Sequence, residues 1–323
     1  MKGVIAGKFY PPHLGHNFLI DYALQHCDHL DVLVVDNPKY LIPAQKRLAW
    51  LKAHHPQAHF KIIPDINNDD DSLAWAAHTM QFLGYKPGLV FSSEAYGELW
   101  AHYMGAKNIL VDQERRTVPI SGTKVRQDIL KSWNYLSDEV KAGLALRVVI
   151  VGAESTGTTT LARDLAQALR VPWVPEMGRC YSDSISTTDK GWSDDDFYRI
   201  GRLQQNYEAE VAQRSDGIIV CDTNAVATEL WQRRYMGRTT AAMKIIAKND
   251  KADLYIITGD EIPFVQDGTR DGEHIRHQMH QWFINHIKKT GMPYLVVTGT
   301  PADRLKVAKE SALKMIAYRK AIG

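Results

Sequence analysis

The chain is poor in cysteine. Its three thiols, Cys27, Cys180 and Cys221, are far apart and odd in number, which argues against a disulfide framework. No CxxC pair suggests structural zinc. Long apolar runs are also missing. None approaches the roughly 18 residues of a membrane-spanning helix, so no membrane partner is expected. Excess charge of one sign is missing too: 39 Lys and Arg against 37 Asp and Glu leave a net +2. That balance argues against a dedicated nucleic-acid binder, although local clusters can still hold phosphates. Internal repeats and low-complexity tracts are absent. The first strand-like run, Gly3-Val4-Ile5-Ala6, begins almost at Met1, so no signal peptide is expected and a cytoplasmic protein is read.

What is present is ordinary globular composition in 323 residues, enough for about two domains with real cores. Short apolar runs at 4–6, 30–35, 60–63, 89–91 and 109–111 read as buried parallel strands. Between them, 14–25 and 45–53 carry apolar residues at helical spacing, and strand-helix alternation implies an α/β sheet. The acidic stretch Asp65–Asp71 reads as a solvated loop. A second strand-loop-helix unit opens at Leu146–Val151. It is followed by strands at 218–221, 254–258 and 294–297 and helices at 160–169, 195–213, 274–289 and 302–315. The fold class expected is therefore α/β, with two tandem parallel-sheet domains, 1–144 and 145–323, joined through a helical segment at 129–144.

The strand Val4-Ile5-Ala6 runs into Gly7-Lys8-Phe9-Tyr10-Pro11-Pro12-His13-Leu14-Gly15-His16. Gly7 and Gly15 allow close backbone approach to a ligand, and the following helix turns its N-terminus to the same place, which favours anions. His13 and His16 share a helical face and can donate hydrogen bonds to phosphate; Lys8 adds a fixed charge. The decapeptide resembles the G-x-F-x-P-x-H-x-G-H signature of nucleotidyltransferases at every fixed position, Phe9 included. Further on, Ile120-Ser121-Gly122-Thr123-Lys124-Val125-Arg126 is similar to the I-S-x-T-x-x-R element of the same superfamily. There Ser121 and Thr123 suit helix capping and phosphate binding, and Arg126 suits a bidentate phosphate clamp.

A second phosphate loop is read at Gly152-Ala153-Glu154-Ser155-Thr156-Gly157-Thr158-Thr159-Thr160. Its spacing fits G-x-x-x-x-G-K-[ST], with Gly152 and Gly157 in place and Thr159 at the Mg²⁺-binding hydroxyl, but Thr158 stands where the lysine belongs. The backbone cradle survives that change because its donors are peptide N–H groups. Phosphoryl transfer loses one cation. The apolar strand Ile218–Cys221 ends in Asp222, as a Walker B strand does; Asp222 suits holding Mg²⁺ or orienting an acceptor hydroxyl.

Gly7–Pro11, Val90-Phe91-Ser92-Ser93-Glu94, Val111-Asp112 and Ile120–Arg126 resemble the bifunctional NadR family, and the resemblance covers essentially the whole chain. It implies a nicotinamide mononucleotide adenylyltransferase followed by a P-loop ribosylnicotinamide kinase. ATP would be held by His13, Gly15, His16, Ser121, Thr123 and Arg126, with Ser92, Ser93 and Glu94 near adenosine or ribose. Trp75 is either a nicotinamide platform or core. In the second half, Glu176-Met177-Gly178-Arg179 and Phe264–Arg270 resemble family elements. These would place Ser155 and Thr160 in the phosphate loop, Asp267 on ribose, and Arg179, Arg270 or Arg276 as the substitute for the absent lysine. The implied partners are small molecules, ATP with Mg²⁺, nicotinamide mononucleotide and nicotinamide riboside, with homo-oligomers left open. Some relatives carry a DNA-binding helix-turn-helix; with the first strand at residue 3, none is expected here. Two alternatives stay open: a second half that senses nucleotide without catalysis, and a first half that serves another phosphate acceptor, as a cytidylyltransferase does.

Overall fold

A computed structural model describes residues 1–184, 191–250, 252–265 and 272–319. The chain divides into two compact units, Met1–Lys141 and Ala142–Arg319. No described helix is long and apolar enough to cross a membrane.

The first unit runs β1 (Lys2–Gly7), α1 (Leu14–Leu24), β2 (His29–Asp36), α2 (Ala44–His54), β3 (His59–Pro64), α3 (Ser72–Leu83), β4 (Leu89–Ser92), α4 (Tyr96–Met104), β5 (Lys107–Leu110) and α5 (Gly122–Gln127). Its strands are all parallel, in the order β3-β2-β1-β4-β5. In β1, Val4 and Ile5 point to opposite faces yet are 0% and 1% exposed, so both faces are covered. Ile5 packs with Leu19, Ile20 and Val32 on one side, and Val4 with Leu33, Ile63 and Trp100 on the other. Each such fully buried aliphatic side chain contributes roughly 1.5–3 kcal/mol. The chain moves from β1 outward to β3, then crosses back over β1 to β4. This reversal opens a crevice at the carboxyl ends of β1 and β4, where ligands of open α/β sheets gather.

The second unit begins within α6 (Asp138–Leu144). It continues with β6 (Leu146–Val151), α7 (Thr158–Leu169), β7 (Trp173–Val174), α8 (Met177–Ser184), α9 (Asp194–Arg214), β8 (Ile218–Asp222), α10 (Ala225–Met236), α11 (Ala241–Lys248), β9 (Leu254–Thr258), α12 (Arg276–Thr290), β10 (Tyr294–Val297) and α13 (Pro301–Arg319). The sheet is again parallel, ordered β10-β9-β6-β8-β7. All six residues of β6 are buried, which is what a central strand covered on both faces requires.

Every strand expected from the apolar runs is present. Six elements were not anticipated: α3, α4, α8, α10, α11 and the two-residue β7. Their signals were local. Asp71 caps α3 by accepting the Ala74 N–H at 2.8 Å, Asn224 caps α10 through the Ala227 N–H at 3.3 Å and Thr240 caps α11 through the Met243 N–H at 3.2 Å. All three are side chains that favour this position.

Gly97 shows how tightly α4 lies on the crevice strand. A Cβ there would fall 2.0 Å from Ser92 Oγ and 2.5 Å from Ser92 Cβ. Gly97→Ala is therefore expected to destabilise the first unit by about 1–3 kcal/mol through overpacking. A urea titration checks this; an unchanged midpoint would contradict the close approach.

Candidate functional site

In the first unit a cleft of about 550 Å³ opens at the carboxyl ends of the strands, lined among others by Lys8, Phe9, His16, Ser93, Glu94, Arg115, Ser121, Thr123 and Arg126. The loop residues Gly7, Lys8, Phe9 and Tyr10 line it as well. Phe9 sits there at φ 44°, a left-handed conformation that L residues adopt only when their surroundings impose it. Its ring is buried and meets His16 edge-on, centroids 5.0 Å apart. His13 and His16 stack at 3.7 Å, and the His13 backbone N–H donates to His16 Nδ1 at 3.2 Å. With Nδ1 accepting, the proton of neutral His16 sits on Nε2, free to be offered as a donor. At Gly15 the His13 ring takes up the space, 3.1 Å from where a Cβ would stand.

Charge in this cleft comes from other residues than the histidines. Burial, with Arg115 and Arg126 nearby, pushes the His13 pKa down to about 3. Burial and the neighbouring His13 and Arg115 hold His16 well below the usual histidine range. Both are neutral N–H groups at physiological pH. Lys8 behaves oppositely: burial lowers it, but its 2.6 Å bond to Asp69 and nearby Tyr40 leave its pKa raised. Arg126 donates to the Tyr10 carbonyl at 2.8 Å and to Thr123 Oγ1 at 3.1 Å. Arg115 pairs with Glu94 at 3.0 Å on a loop held by Asp112, whose carboxylate accepts the N–H groups of Arg116, Thr117 and Val118 at 2.9–3.1 Å. These backbone donors hold Asp112 below the usual carboxylate range.

In the second unit the loop after β6 carries Ser155 at φ 60° and Gly157 at φ 82°. A Cβ on Gly152 would lie 2.1 Å from Thr258 Oγ1, so that position admits only glycine. Thr156 Oγ1 bridges the Ala153 carbonyl and Thr258 Oγ1, each at 2.6 Å. Two buried arginines grip the loop's carbonyls: Arg304 binds Thr156 O at 2.7 Å and Arg276 binds Ser155 O at 3.1 Å. Arg276 is thus part of the loop's scaffold. Asp222, paired in register with Ile150 on the central strand, is 1% exposed, and its Oδ1 has no partner among the described residues. Burial pushes its pKa up to about 6, against the opposing hydroxyls of Thr159 and Thr158 and the charges of Arg179 and Arg163. Glu176, half-buried just before α8, is pushed up to about 7 by burial, then by Asp222. Glu154 pairs with Arg234 at 3.3 Å, which accounts for an acid inside a phosphate loop.

A sequence-family profile described as "AAA domain" matches residues 147–304. Two curated proteins from Salmonella typhimurium strain LT2 and Escherichia coli strain K12, each named "Trifunctional NAD biosynthesis/regulator protein NadR", are 28% identical to this chain over 293 residues, 83% of it and 71% of theirs. A solved structure described as NadR protein in complex with NR superposes with a TM-score of 0.70 at 18% identity, covering 99% of this chain and 96% of its own. A second, NadR protein in complex with NAD and AMP-PNP, gives 0.69 at 18%, covering 98% and 96%. By sequence the chain is similar to NadR proteins over most of its length, and by fold to both NadR structures.

Within this NadR frame, Gly7, Lys8, Phe9, His16, Ser93, Glu94, Ser121, Thr123 and Arg126 share one cleft wall, with His13 stacked behind His16. Ser92 stands apart: it is 1% exposed and its Oγ donates to Asn108 Oδ1 at 3.1 Å. Trp75 lines the cleft, packs partly buried against the Val4 cluster and donates its Nε1 to Asn68 O at 3.0 Å. In the second unit, Gly152, Ser155, Gly157, Thr158 and Thr159 surround the loop beside Asp222 and Arg179; Thr160 is exposed on α7. Asp267 and Arg270 lie outside the described residues. Sequence reading missed Arg115, Arg47 and Arg304, which belong to no quoted motif, and gave Glu176 no role.

The raised carboxyls give a pH signature. Asp222 and Glu176 hold protons in the folded chain at pH values where unfolded carboxyls have lost them, so their contribution is full below about pH 4 and fades as pH rises through 6 and 7. An Asp222→Asn/Glu176→Gln double variant should gain stability over the parent by a margin that grows from pH 4 to pH 7. Urea midpoints across that range test it; a constant margin would refute the assignment.

Proposed function

We propose that the first unit joins the adenylyl group of ATP to nicotinamide mononucleotide, forming NAD and pyrophosphate, and that the second phosphorylates nicotinamide riboside. The carrying observation is the convergence in one cleft of a neutral His16 donor, Lys8, Arg115 and Arg126 around a strained strand-to-helix loop. The transfer needs no covalent enzyme intermediate. A 5′-phosphate oxygen of the mononucleotide attacks the α-phosphorus of ATP; the bond from that phosphorus to the bridging oxygen breaks and pyrophosphate carries away the electron pair. Catalysis then consists of alignment and stabilisation of negative charge. Arg126 and Arg115 would hold the departing phosphates. Neutral His16 would donate without a proton having to be supplied.

In the second unit, the loop N–H groups would cradle ATP. Asp222 would accept the riboside hydroxyl proton or hold the metal, with Thr159 supplying the second oxygen. The orphaned Asp222 Oδ1 beside a hydroxyl suits Mg²⁺, a hard cation that takes few protein oxygens and fills its shell with phosphate and water; when bound it would neutralise charge on the transferring phosphate. Arg179, whose charge reaches both Asp222 and Glu176, is the candidate for the missing lysine. The acids Glu154, Glu176 and Asp222 act on one another beside the loop and would suit a flat cationic ring such as the pyridinium of nicotinamide riboside. The NR and the NAD and AMP-PNP of the two structural neighbours support these ligand classes. A second reading, a nucleotide sensor, rests on Thr158 in place of lysine.

The test is chromatographic. Protein with Mg-ATP and either nicotinamide mononucleotide or nicotinamide riboside is expected to yield NAD from both. Arg126→Ala should slow the mononucleotide reaction by roughly 10²–10³-fold and leave riboside phosphorylation intact; Asp222→Asn should do the reverse. NAD from the mononucleotide alone would favour the sensor reading, and NAD from neither would overturn the substrate assignment.

A further inference from the structure

Arg47 is a charged residue with no place in any motif, and it is 0% exposed. A buried cation ordinarily finds a carboxylate. Arg47 instead spends its donors on backbone carbonyls from three segments: Nε to Ile42 O at 2.9 Å, one terminal nitrogen to Val35 O at 3.1 Å, and the other to Lys8 O. Its guanidinium also lies over Tyr40, 5.3 Å from the centroid, which stacks on Tyr10 at 4.7 Å.

The Lys8 carbonyl belongs to the peptide that joins Lys8 to Phe9. A trans peptide is planar, with C=O and N–H pointing in opposite directions. With Lys8 O drawn into the core by Arg47, the Phe9 N–H is turned the other way, towards the cleft that Phe9 lines. Phe9 N–H has no hydrogen-bond partner among the described residues. Two residues on, Arg126 holds Tyr10 O at 2.8 Å, so the loop is fixed from both sides while Phe9 stays at φ 44°. The next two loop residues are Pro11 and Pro12, which have no N–H to offer.

We propose that Arg47 is a positioning residue of the first unit: it orients the Lys8–Phe9 peptide so that the Phe9 N–H serves as a phosphate donor. Arg47 touches no ligand; it acts through that amide. The assignment deepens the adenylyl-transfer reading and rests on it for the nature of the anion.

Two measurements test it. The first uses the parent chain, labelled with ¹⁵N at phenylalanine and with the Phe9 resonance assigned through Phe9→Leu. On addition of pyrophosphate the Phe9 amide proton is expected to move downfield as it acquires an acceptor. A resonance that stays put while pyrophosphate binds, or no binding at all, overturns the proposal. The second uses Arg47→Lys and Arg47→Gln, with kcat counted per folded molecule. Gln has only two donors, and Lys presents its three from a single point rather than from a planar fork that spans three segments, so NAD formation from nicotinamide mononucleotide should lose at least about tenfold in kcat, with the KM for ATP much less affected. A purely structural arginine would lower the unfolding temperature and leave kcat per folded molecule unchanged; that result contradicts the assignment. If the parent makes no NAD, the substrate reading fails by itself, and pyrophosphate affinity decides for Arg47: at least about tenfold weaker in the variants supports it, equal affinity sinks it.

Discussion

A trans peptide plane cannot present its carbonyl and its N–H to the same side. In this chain that constraint is used at two loops. In the first unit Arg126 holds Tyr10 O, whose peptide with Pro11 has no N–H, and Arg47 draws Lys8 O away from the cleft. In the second, Arg276 and Arg304 do the same to Ser155 O and Thr156 O. Each loop follows the central strand of a parallel sheet and precedes a helix. Each therefore has backbone donors, a helix N-terminus and strained residues gathered at one place. Holding the carbonyls inward gives those donors a fixed direction before any anion arrives, which is the preorganisation that electrostatic catalysis depends on.

The charges around the two loops differ in a way that matches different tasks. The first cleft keeps its histidines neutral by burial and leaves cationic work to Lys8, Arg115 and Arg126. Such a site would suit an anionic leaving group and no exchange of protons. The second gathers Glu154, Glu176 and Asp222 beside the loop, with two of the three carboxyls held above the usual range. Carboxyls tuned in that way suit proton acceptance or a metal, as phosphorylation of a hydroxyl requires. The lysine that Thr158 replaces is missed less in a loop whose carbonyls are already gripped by two arginines, since the cradle itself is intact.

Most of the architecture was legible in the sequence because parallel strands buried on both faces read as short continuous apolar runs. The loop residues were legible because their glycines, histidines and hydroxyls stand at fixed spacing. The arginines that orient those loops were not. Arg47 lies on the buried face of α2, Arg304 on α13, and each reaches its carbonyl across tens or hundreds of residues of chain, a relation no spacing encodes. Helices such as α10 were missed because Ala225, Val226, Ala227 and Thr228 are consecutively buried and show no amphipathic period. Ser92 was misplaced for a related reason: a strand end puts alternate residues on opposite faces, and Ser92 turns to Asn108 while Ser93 turns to the cleft.

The central claim is that one chain carries two independent nucleotide-phosphate sites. Calorimetric titration with a non-hydrolysable ATP analogue and Mg²⁺ tests it most directly. Two equivalents bound per chain, reduced to one by a substitution at Arg126 and to one by a substitution at Gly152, is the result this account requires. A single equivalent in the parent chain, or two that survive both substitutions, would contradict it.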